Sequence, residues 1–183
     1  MRAEFINPFV TGGVQVLESV VGSAPESGQL AVRSATFTTQ QISIVVGVTG
    51  AIEGQALYGM SLVTATKVAA AMSGLPATTF DEFASSAIAE LGNMISGHAA
   101  TLLSGAGYEC QITPPALIRG PQVEISTSIP ALVVPLYTDF GKIEINVAVK
   151  ENLPAGAPSR ALGDAPPIAG ESPIPSGSEG PEA

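Results

Sequence analysis

Apolar residues recur at helical spacing over residues 81–104 (DEFASSAIAELGNMISGHAATLLS) and predict the longest helix of the chain. One stripe of this helix is apolar and is expected to pack on a core: Ala84, Ile88, Leu91, Ile95, Ala99 and Leu102. The opposite side, here named the polar stripe, is small and polar: Ser86, Glu90, Asn93, Gly97, Thr101 and Ser104. Asp81 is placed to cap the start, and residues 105–107 offer a left-handed stop. The pattern therefore predicts one face for packing and one face for a partner.

Two glycines interrupt this helix, and each costs about 1 kcal/mol relative to alanine in a helix interior. Gly92 projects near the apolar side, where a missing side chain lets the helix approach a sheet closely. Gly97 projects from the polar stripe, where it lets the backbone of a second protein come near. We expect a close contact at each position.

The remaining pattern predicts an α+β fold. A first helix is expected to start at Asn7-Pro8, with Asn7 as the cap, and to end at Val21. Ser61 is expected to cap a second helix over residues 62–72. Strands are predicted at residues 32–38, 42–48, 52–60, 108–112, 122–126, 132–137 and 142–150. This order favours an antiparallel sheet layered with about three helices over a βαβ nucleotide-binding wind.

The nearly continuous apolar run at residues 42–48 is typical of a strand that is covered on both faces or lies at a subunit contact. The last strand, residues 142–150, alternates apolar and polar side chains and predicts one core face and one wet face.

Composition sets the organisation of the chain and its compartment. Hydrophobic residues make up 45%, but no apolar run approaches the ~20 residues that span a bilayer. The first ten residues lack a basic start followed by an apolar segment, so we expect a cytoplasmic protein. From residue 151 onward Pro, Gly, Ala and Ser dominate, which predicts a disordered acidic tail (151–183) after one domain (1–150). The net charge of −9 and the lack of a basic patch argue against nucleic acid and anionic membranes as partners.

Several common chemistries cannot be assembled from these residues. His98 is the only histidine and Cys110 the only cysteine, which excludes a histidine-based metal site, a Ser-His-Asp triad and an intramolecular disulfide. No phosphate-binding loop, dinucleotide fingerprint or nucleophile elbow is present. Glu90 and Asn93 share a helix face at i and i+3, but such a pair is by itself typical of a solvated surface.

Four stretches carry a family resemblance: SAIAELGNMISGHAATLL (86–103), ITPP (112–115), INPF (6–9) and VTGAIEGQALYGMS (48–61). Over roughly residues 1–150 the chain resembles the CheX-type chemotaxis phosphatases of the CheC, CheX and FliY superfamily. The resemblance implies a pseudo-twofold CheC-like fold and a homodimer formed through sheet contacts. It also implies a phosphorylated CheY-like receiver domain as the partner and substrate.

The same resemblance implies roles for residues of the polar stripe. The receiver brings the aspartyl phosphate, a lysine and a divalent metal, expected to be Mg²⁺, so the chain needs no metal or cofactor of its own. Asn93 is then expected to orient the attacking water, and Glu90 to pair with the lysine of the receiver. Ser86, Gly97 and Thr101 are expected to contact the receiver.

Two alternatives remain open: a module of the flagellar-switch type that binds a receiver without hydrolysing its phosphate, and a structural dimer with a solvated polar stripe. The number of sites is a separate question, because Glu4-x-x-Asn7 echoes Glu90-x-x-Asn93 and some superfamily members keep two active sites. Asn7 precedes Pro8 and is expected to cap a helix, so we predict a single site.

Overall fold

Three helices and ten strands follow one another in the computed structural model, which describes residues 2–76 and 78–152. The helices are α1 (Ala3–Val21), α2 (Leu62–Ser73) and α3 (Glu82–Gly105). The strands are β1 (Glu26–Ser27), β2 (Ala31–Arg33), β3 (Thr36–Thr38), β4 (Ile42–Gly50), β5 (Ile52–Met60), β6 (Cys110–Ile112), β7 (Ala116–Arg119), β8 (Glu124–Ser126), β9 (Ala131–Thr138) and β10 (Gly141–Glu151). Within the described residues, no helix combines the length and the apolar character that a membrane crossing requires.

Every strand pairing is antiparallel, and the topology repeats itself. The main sheet has the order β1-β9-β10-β5-β4-β6, with β2 also paired to β9 and β7 to β4, while β3 and β8 form a separate ribbon. Exchanging β1–β5 for β6–β10 one by one leaves each of these pairings in place. The antiparallel α+β fold and its pseudo-twofold character are therefore confirmed.

The core lies between the helices and one face of the four long strands β4, β5, β9 and β10. Alternate side chains of the last strand, Ile143, Ile145, Val147 and Val149, are fully buried against it, as the alternation predicted. The opposite face of that strand is not wet as expected, because Glu144, Asn146 and Ala148 are also buried. In β4 the apolar run packs on the helices through every second residue, and both of its edges are already paired within the chain.

The first helix begins earlier than the sequence suggested, which corrects the prediction that Asn7 is its cap. Helix α1 starts at Ala3, so Asn7 and Pro8 lie inside it and Asn7 is exposed on its surface. Proline removes one backbone hydrogen bond there, but the preceding turn buries Phe5 and Ile6, which are 1% and 2% exposed. Burial of these two side chains outweighs the preference of proline for the first turn.

The long helix was predicted within one residue at each end, and its core-facing stripe was largely right. The Asp81 carboxylate accepts a hydrogen bond from the Ala84 amide at 2.9 Å, so the expected cap is present. The assignment of Leu102 to the core-facing stripe was wrong, because Leu102 is 38% exposed and Leu103 is fully buried in its place. At 100° per residue Leu102 stays on the apolar stripe, so its exposure is set by what packs around the end of the helix and not by the periodicity.

Gly92 fulfils the expectation of a close approach to the sheet. A Cβ atom at this position would lie 2.6 Å from Ile44 Cγ2 on β4 and 3.4 Å from the ring of Tyr58 on β5. Gly13 on α1 is as tight, because a Cβ there would lie 2.3 Å from Ile145 Cδ1 on β10. Both main helices therefore rest on the sheet through a residue without a side chain.

The short strands were the hardest elements to foresee. The predicted strand at 32–38 is divided into β2 and β3, and the strands β1 and β7 were missed. The predicted strand at 108–112 starts only at Cys110, because Tyr108 follows the turn that ends α3. Strand β10 runs to Glu151, one residue beyond the predicted domain end, while the remainder of the predicted tail (153–183) lies outside the described residues and stays a prediction.

A buried carboxylate ties the β2–β3 segment to the far face of the sheet. Glu144 Oε2 accepts hydrogen bonds from Arg33 at 2.8 Å and from Gln40 at 3.1 Å, and Oε1 accepts one from Lys142 at 2.8 Å. Burial alone would raise the pKa of Glu144, but the hydrogen bonds from Lys142 and Gln40 and the charges of Arg33 and Lys142 outweigh it and lower the pKa. The carboxylate is therefore ionised at neutral pH.

We expect Gly92→Ala to destabilise the fold by about 1–3 kcal/mol, because the new methyl group has no space between α3 and β4. The matched control is Gly97→Ala in the same helix, where the new Cβ would meet only Ile112 Cδ1 at 3.9 Å. This variant is expected to be neutral or to gain up to about 1 kcal/mol from helix propensity. Urea unfolding measures both, and equal stability of the two variants would contradict the close contact.

We expect Glu144→Gln to lower the free energy of unfolding by about 2 kcal/mol at pH 7, because it removes a buried charge-assisted network. The folded pKa is lowered, so this stabilisation is present above the unfolded pKa of about 4.3 and is lost as the pH falls below it. The difference between wild type and variant should therefore shrink below about pH 4. Glu53→Gln is the control, because its ion pair with Lys150 is largely exposed and contributes at most about 1 kcal/mol.

Candidate functional site

Helix α3 presents its polar stripe to solvent because its other sides are held by the fold. It packs against α1 and α2 and over the strands β4, β6 and β7. The side chains of its inner face are fully buried or nearly so: Ala84, Ile88, Leu91, Ile95, Ala99 and Leu103. The residues of the polar stripe are exposed or half-buried, and none of them points into the core.

The structure brings Glu90 and Asn93 together at the middle of the polar stripe. Asn93 Nδ2 donates a long hydrogen bond of 3.4 Å to Glu90 Oε2, and both side chains lie at the surface. No arginine or lysine among the described residues forms an ion pair with Glu90. The site is therefore a free carboxylate beside a neutral amide, with its hydrogen-bonding capacity mostly unused.

The other predicted contact residues line the same face but contribute less chemistry. The hydroxyls of Ser86 and Thr101 donate to backbone carbonyls one turn earlier, at Glu82 (3.0 Å) and Gly97 (3.0 Å). These hydroxyls can still accept hydrogen bonds from a partner. Gly97 leaves open space above the helix, since only Ile112 comes near the position of its missing side chain.

Two apolar residues beside the polar stripe were missed by the sequence analysis. Phe83 is 59% exposed and lies three residues before Ser86, and Met94 is 38% exposed and lies four residues after Glu90. Residues three or four apart are neighbours on a helix surface, so both side chains flank the stripe. Plotting all exposed positions of the helix, and not the polar ones alone, would have found them. An aromatic ring and a methionine beside a charged centre are typical of a protein-binding surface.

A buried hydrogen bond one turn from Asn93 fixes the rotation of α3 on the sheet. Tyr58 Oη and Ser96 Oγ share a hydrogen bond of 2.6 Å, and both residues are fully buried. Burial raises the pKa of the Tyr58 hydroxyl far above its ordinary value, and the hydrogen bond to Ser96 only partly opposes this, so the hydroxyl stays protonated. Ser96 is three residues after Asn93, so this bond and the close packing at Gly92 fix where the amide points.

The second Glu-x-x-Asn pair, on α1, has the same spacing but a different environment. Helices α1 and α3 come close at Gly12 and His98, where a Cβ on Gly12 would lie only 3.3 Å from His98 Cβ. Asn7 lies five residues before Gly12, and Asn93 lies five residues before His98. The two pairs are thus placed symmetrically about this contact between the helices. The carboxylate of Glu4, however, forms an ion pair with Arg2 and accepts a 3.4 Å hydrogen bond from Tyr108. The α1 pair therefore lacks the free carboxylate of the α3 pair.

The described residues contain no group of three His, Cys, Asp or Glu side chains arranged to hold a metal ion. Cys110 is half-buried near the far end of the polar stripe, beside Thr101 and Ser104, and burial raises the pKa of its thiol. The thiol is therefore protonated and poorly nucleophilic at neutral pH.

Comparisons with known proteins agree on one family. The family model for the chemotaxis phosphatase CheX matches residues 42–137. The CheY-P phosphatase CheX of Thermotoga maritima is 34% identical over 137 residues, which cover 74% of this chain and 88% of that protein. The chain also resembles the crystal structure of a CheX from Desulfovibrio desulfuricans (30% identity, TM-score 0.71, 81% of this chain and 99% of that one).

A further solved structure that resembles this chain is a complex of two proteins. It is the complex of CheX with CheY, BeF₃ and Mg²⁺ from Borrelia burgdorferi, with 28% identity, a TM-score of 0.66 and coverage of 82% of this chain and 100% of that one. The FliY structure from Thermotoga maritima, at 18% identity and a TM-score of 0.58, shares the fold.

We expect Ser96→Ala to cost more stability than Tyr58→Phe. The serine variant leaves a buried tyrosine hydroxyl without a partner, at about 1–3 kcal/mol, whereas the phenylalanine variant lets Ser96 bond to its own helix and costs about 1 kcal/mol. The double variant should lose less than the sum of the two, since removing both hydroxyls leaves no unpaired group. Thermal or urea unfolding of the three proteins measures this, and strictly additive losses would contradict the bond.

Proposed function

Because the chain belongs to the CheX family of chemotaxis phosphatases, we propose that it accelerates hydrolysis of the aspartyl phosphate on a CheY-like response-regulator receiver. The proposal rests on the family and on one observation of the site. That observation is the exposed pair on α3, in which Glu90 and Asn93 stand side by side with no other part of the described chain bonded to them. A partner can reach both groups at once.

Asn93 is proposed to orient the attacking water. Hydrolysis of an acyl phosphate forms a bond from the water oxygen to phosphorus while the bond from phosphorus to the aspartyl oxygen breaks, and the water must approach in line. A carboxamide can hold that water by hydrogen bonds without placing negative charge near the phosphoryl oxygens. An aspartate at the same position would repel them. The neutral side chain suits a reaction in which positioning supplies most of the acceleration.

Glu90 is proposed to bind a cation of the receiver's phosphate pocket, the ammonium group of a lysine. It has no cation of its own among the described residues, so a charge-assisted hydrogen bond to an incoming ammonium group displaces no existing ion pair. Such a bond also draws the carboxylate away from its long contact with Asn93 and frees the amide for water. Glu90 then sets the register of α3 on the receiver and takes no part in bond making.

The rest of the polar stripe is proposed to support docking. Ser86, Gly97 and Thr101 lie along the face that the receiver would cover, and the open space at Gly97 admits a partner's backbone. Phe83 and Met94 add apolar area at its margin, where burial contributes about 25 cal/mol per Å². Small-molecule sites are concave, whereas this stripe lies on the outward face of a helix, so it fits a protein partner better than a small substrate.

Further features of the proposal follow from the family. The Mg²⁺ that assists the reaction is expected on the receiver, and the protein is expected to act in the cytoplasm. A homodimer through sheet contacts also stays a proposal. In this fold β4 is paired on both edges, so a dimer would have to use the short outer strands or the far face of the sheet.

The competing function is a module that binds a receiver without hydrolysing its phosphate. The neutral Asn93 amide beside the free Glu90 carboxylate argues against it, because hydrolysis needs both a ligand for the water and an anchor for a cation, whereas binding alone needs no ligand for water. Binding of a phosphorylated receiver by the wild-type chain, without any change in the lifetime of the phosphate, would favour the module.

We expect Asn93→Ala to abolish most of the acceleration, by at least tenfold and up to several hundredfold, since water orientation is worth several kcal/mol. Binding of the receiver, measured separately with the BeF₃-treated form, should change little. The assay follows decay of a phosphorylated CheY-like receiver with Mg²⁺ present. Unchanged decay with this variant would refute the proposed role.

Asn7→Ala is the matched control, because Asn7, like Asn93, is a helical asparagine at the surface three residues after a glutamate. It should keep nearly full activity, since Glu4 is already engaged by Arg2 and Tyr108. A comparable loss in both variants would mean that the two pairs work alike and would contradict the single site. In contrast to Asn93→Ala, Glu90→Ala is expected to weaken binding as well as turnover.

A further inference from the structure

A cleft separate from the polar stripe opens beside the start of α2. It has a volume of about 490 Å³ and lies between the first two turns of α2, the loop before α3 and the end of β7. Its lining residues are Leu62, Val63, Thr66, Lys67, Thr78, Thr79, Phe80 and Arg119. None of them belongs to the polar stripe, so the cleft is independent of the proposed phosphatase site.

The cleft collects the unpaired positive charge of the described chain. The described residues include six basic side chains, and four of them form ion pairs with carboxylates: Arg2, Arg33, Lys142 and Lys150. The other two in the described residues, Lys67 and Arg119, have no carboxylate of those residues within ion-pair distance, and both line this cleft. In a chain with a net charge of −9, acidic groups are plentiful, so two unpaired cations in one depression form a local exception.

Arg119 is held ready for a ligand and is not a freely moving surface side chain. Its Nη1 donates a hydrogen bond of 3.0 Å to the Phe80 carbonyl, and its guanidinium carbon lies 5.5 Å from the centre of the Phe80 ring. Phe80 is itself buried, so this support is rigid. The guanidinium keeps further N–H donors free, and less entropy is lost when a planar, fixed fork binds an anion. Asp81, the residue after Phe80, is occupied in capping α3.

The walls of the cleft combine apolar surface with hydroxyl groups. Leu62, the 64% exposed Val63 and the largely buried Phe80 supply apolar surface, and Thr78 and Thr79 supply hydroxyls. A volume of this size lies within the range of small-molecule sites, about 300–1,000 Å³, which combine apolar walls with a few polar anchors. A bare inorganic ion would leave these apolar walls in contact with water, whereas an anion with an apolar body would cover them.

We propose that this cleft binds a small organic anion, a phosphate or carboxylate on an apolar body, with the anionic group shared by Lys67 and Arg119. The body of the ligand lies against Leu62 and Val63. Arginine suits both kinds of anion, because its parallel N–H groups match two oxygens of either group. The lysine adds a second, mobile charge from the only ionisable side chain of α2.

Titration of the full chain with phenyl phosphate and benzoate tests the site, with inorganic phosphate and benzyl alcohol as probes for the charge alone and the body alone. We expect saturable binding of at least one of the two organic anions, with backbone amide shifts in NMR spectra confined to Leu62, Val63, Thr78, Thr79 and their neighbours. Inorganic phosphate should bind at least tenfold more weakly, and benzyl alcohol should not saturate. Absence of saturable binding by both organic anions would overturn the proposal.

Lys67→Gln is the decisive variant, because this exposed side chain makes no contact that the fold needs. It should weaken binding at least tenfold while the unfolding temperature stays unchanged. Arg119→Gln should also weaken binding at least tenfold. Because this variant removes the hydrogen bond to Phe80 as well, its unfolding temperature is measured alongside. Lys150→Gln, at an exposed lysine paired with Glu53, is the control and should bind as the wild type does. Equal affinity in all four proteins would show that the cleft cations do not hold the anion and would refute the site.

Discussion

The contact between α3 and the sheet is the constraint on which the site depends. Gly92 has no side chain, so the helix settles onto Ile44 and Tyr58, and the buried bond from Tyr58 to Ser96 fixes its rotation. Successive side chains of a helix are separated by a fixed angle of about 100°, so fixing the direction of the inner side chains also fixes the direction of the outer ones. Glu90 and Asn93 point outward because the residues on the other side have no alternative place to pack. The chemistry of the surface is thus set by a contact made in the interior.

The same topology serves both halves of the chain, yet it does not make the two Glu-x-x-Asn pairs equal. Both pairs stand on the outward side of a helix that rests on the sheet through a glycine. The difference is electrostatic: Arg2 and Tyr108 engage the carboxylate of Glu4, while the carboxylate of Glu90 has only its neighbouring amide. A site that recruits a cation from another protein needs a carboxylate that has not already found one. Local charge, and not backbone position, distinguishes the halves.

Charge placement also separates the two surfaces proposed to bind something. The polar stripe of α3 carries one carboxylate and awaits a cation, whereas the cleft beside α2 carries two cations and awaits an anion. The buried Glu144 network shows the opposite case, because its charges are satisfied within the chain and fasten β2 and β3 to the sheet. Ion pairs that close on themselves contribute to the fold. Charges that stay open are the ones available to partners.

Local pattern was enough to predict the long helix, its cap at Asp81, its outward pair Glu90 and Asn93, and the antiparallel α+β class, because side-chain periodicity and capping act within a few residues. The start of α1 was not predictable, because Pro8 is a local signal and the burial of Phe5 that overrides it depends on strands far away in the chain. The short strands, the engagement of Glu4 and the meeting of Lys67 with Arg119 in one cleft likewise join residues distant in sequence. Such contacts carry no periodic signal, so only the packing of the whole fold decided them.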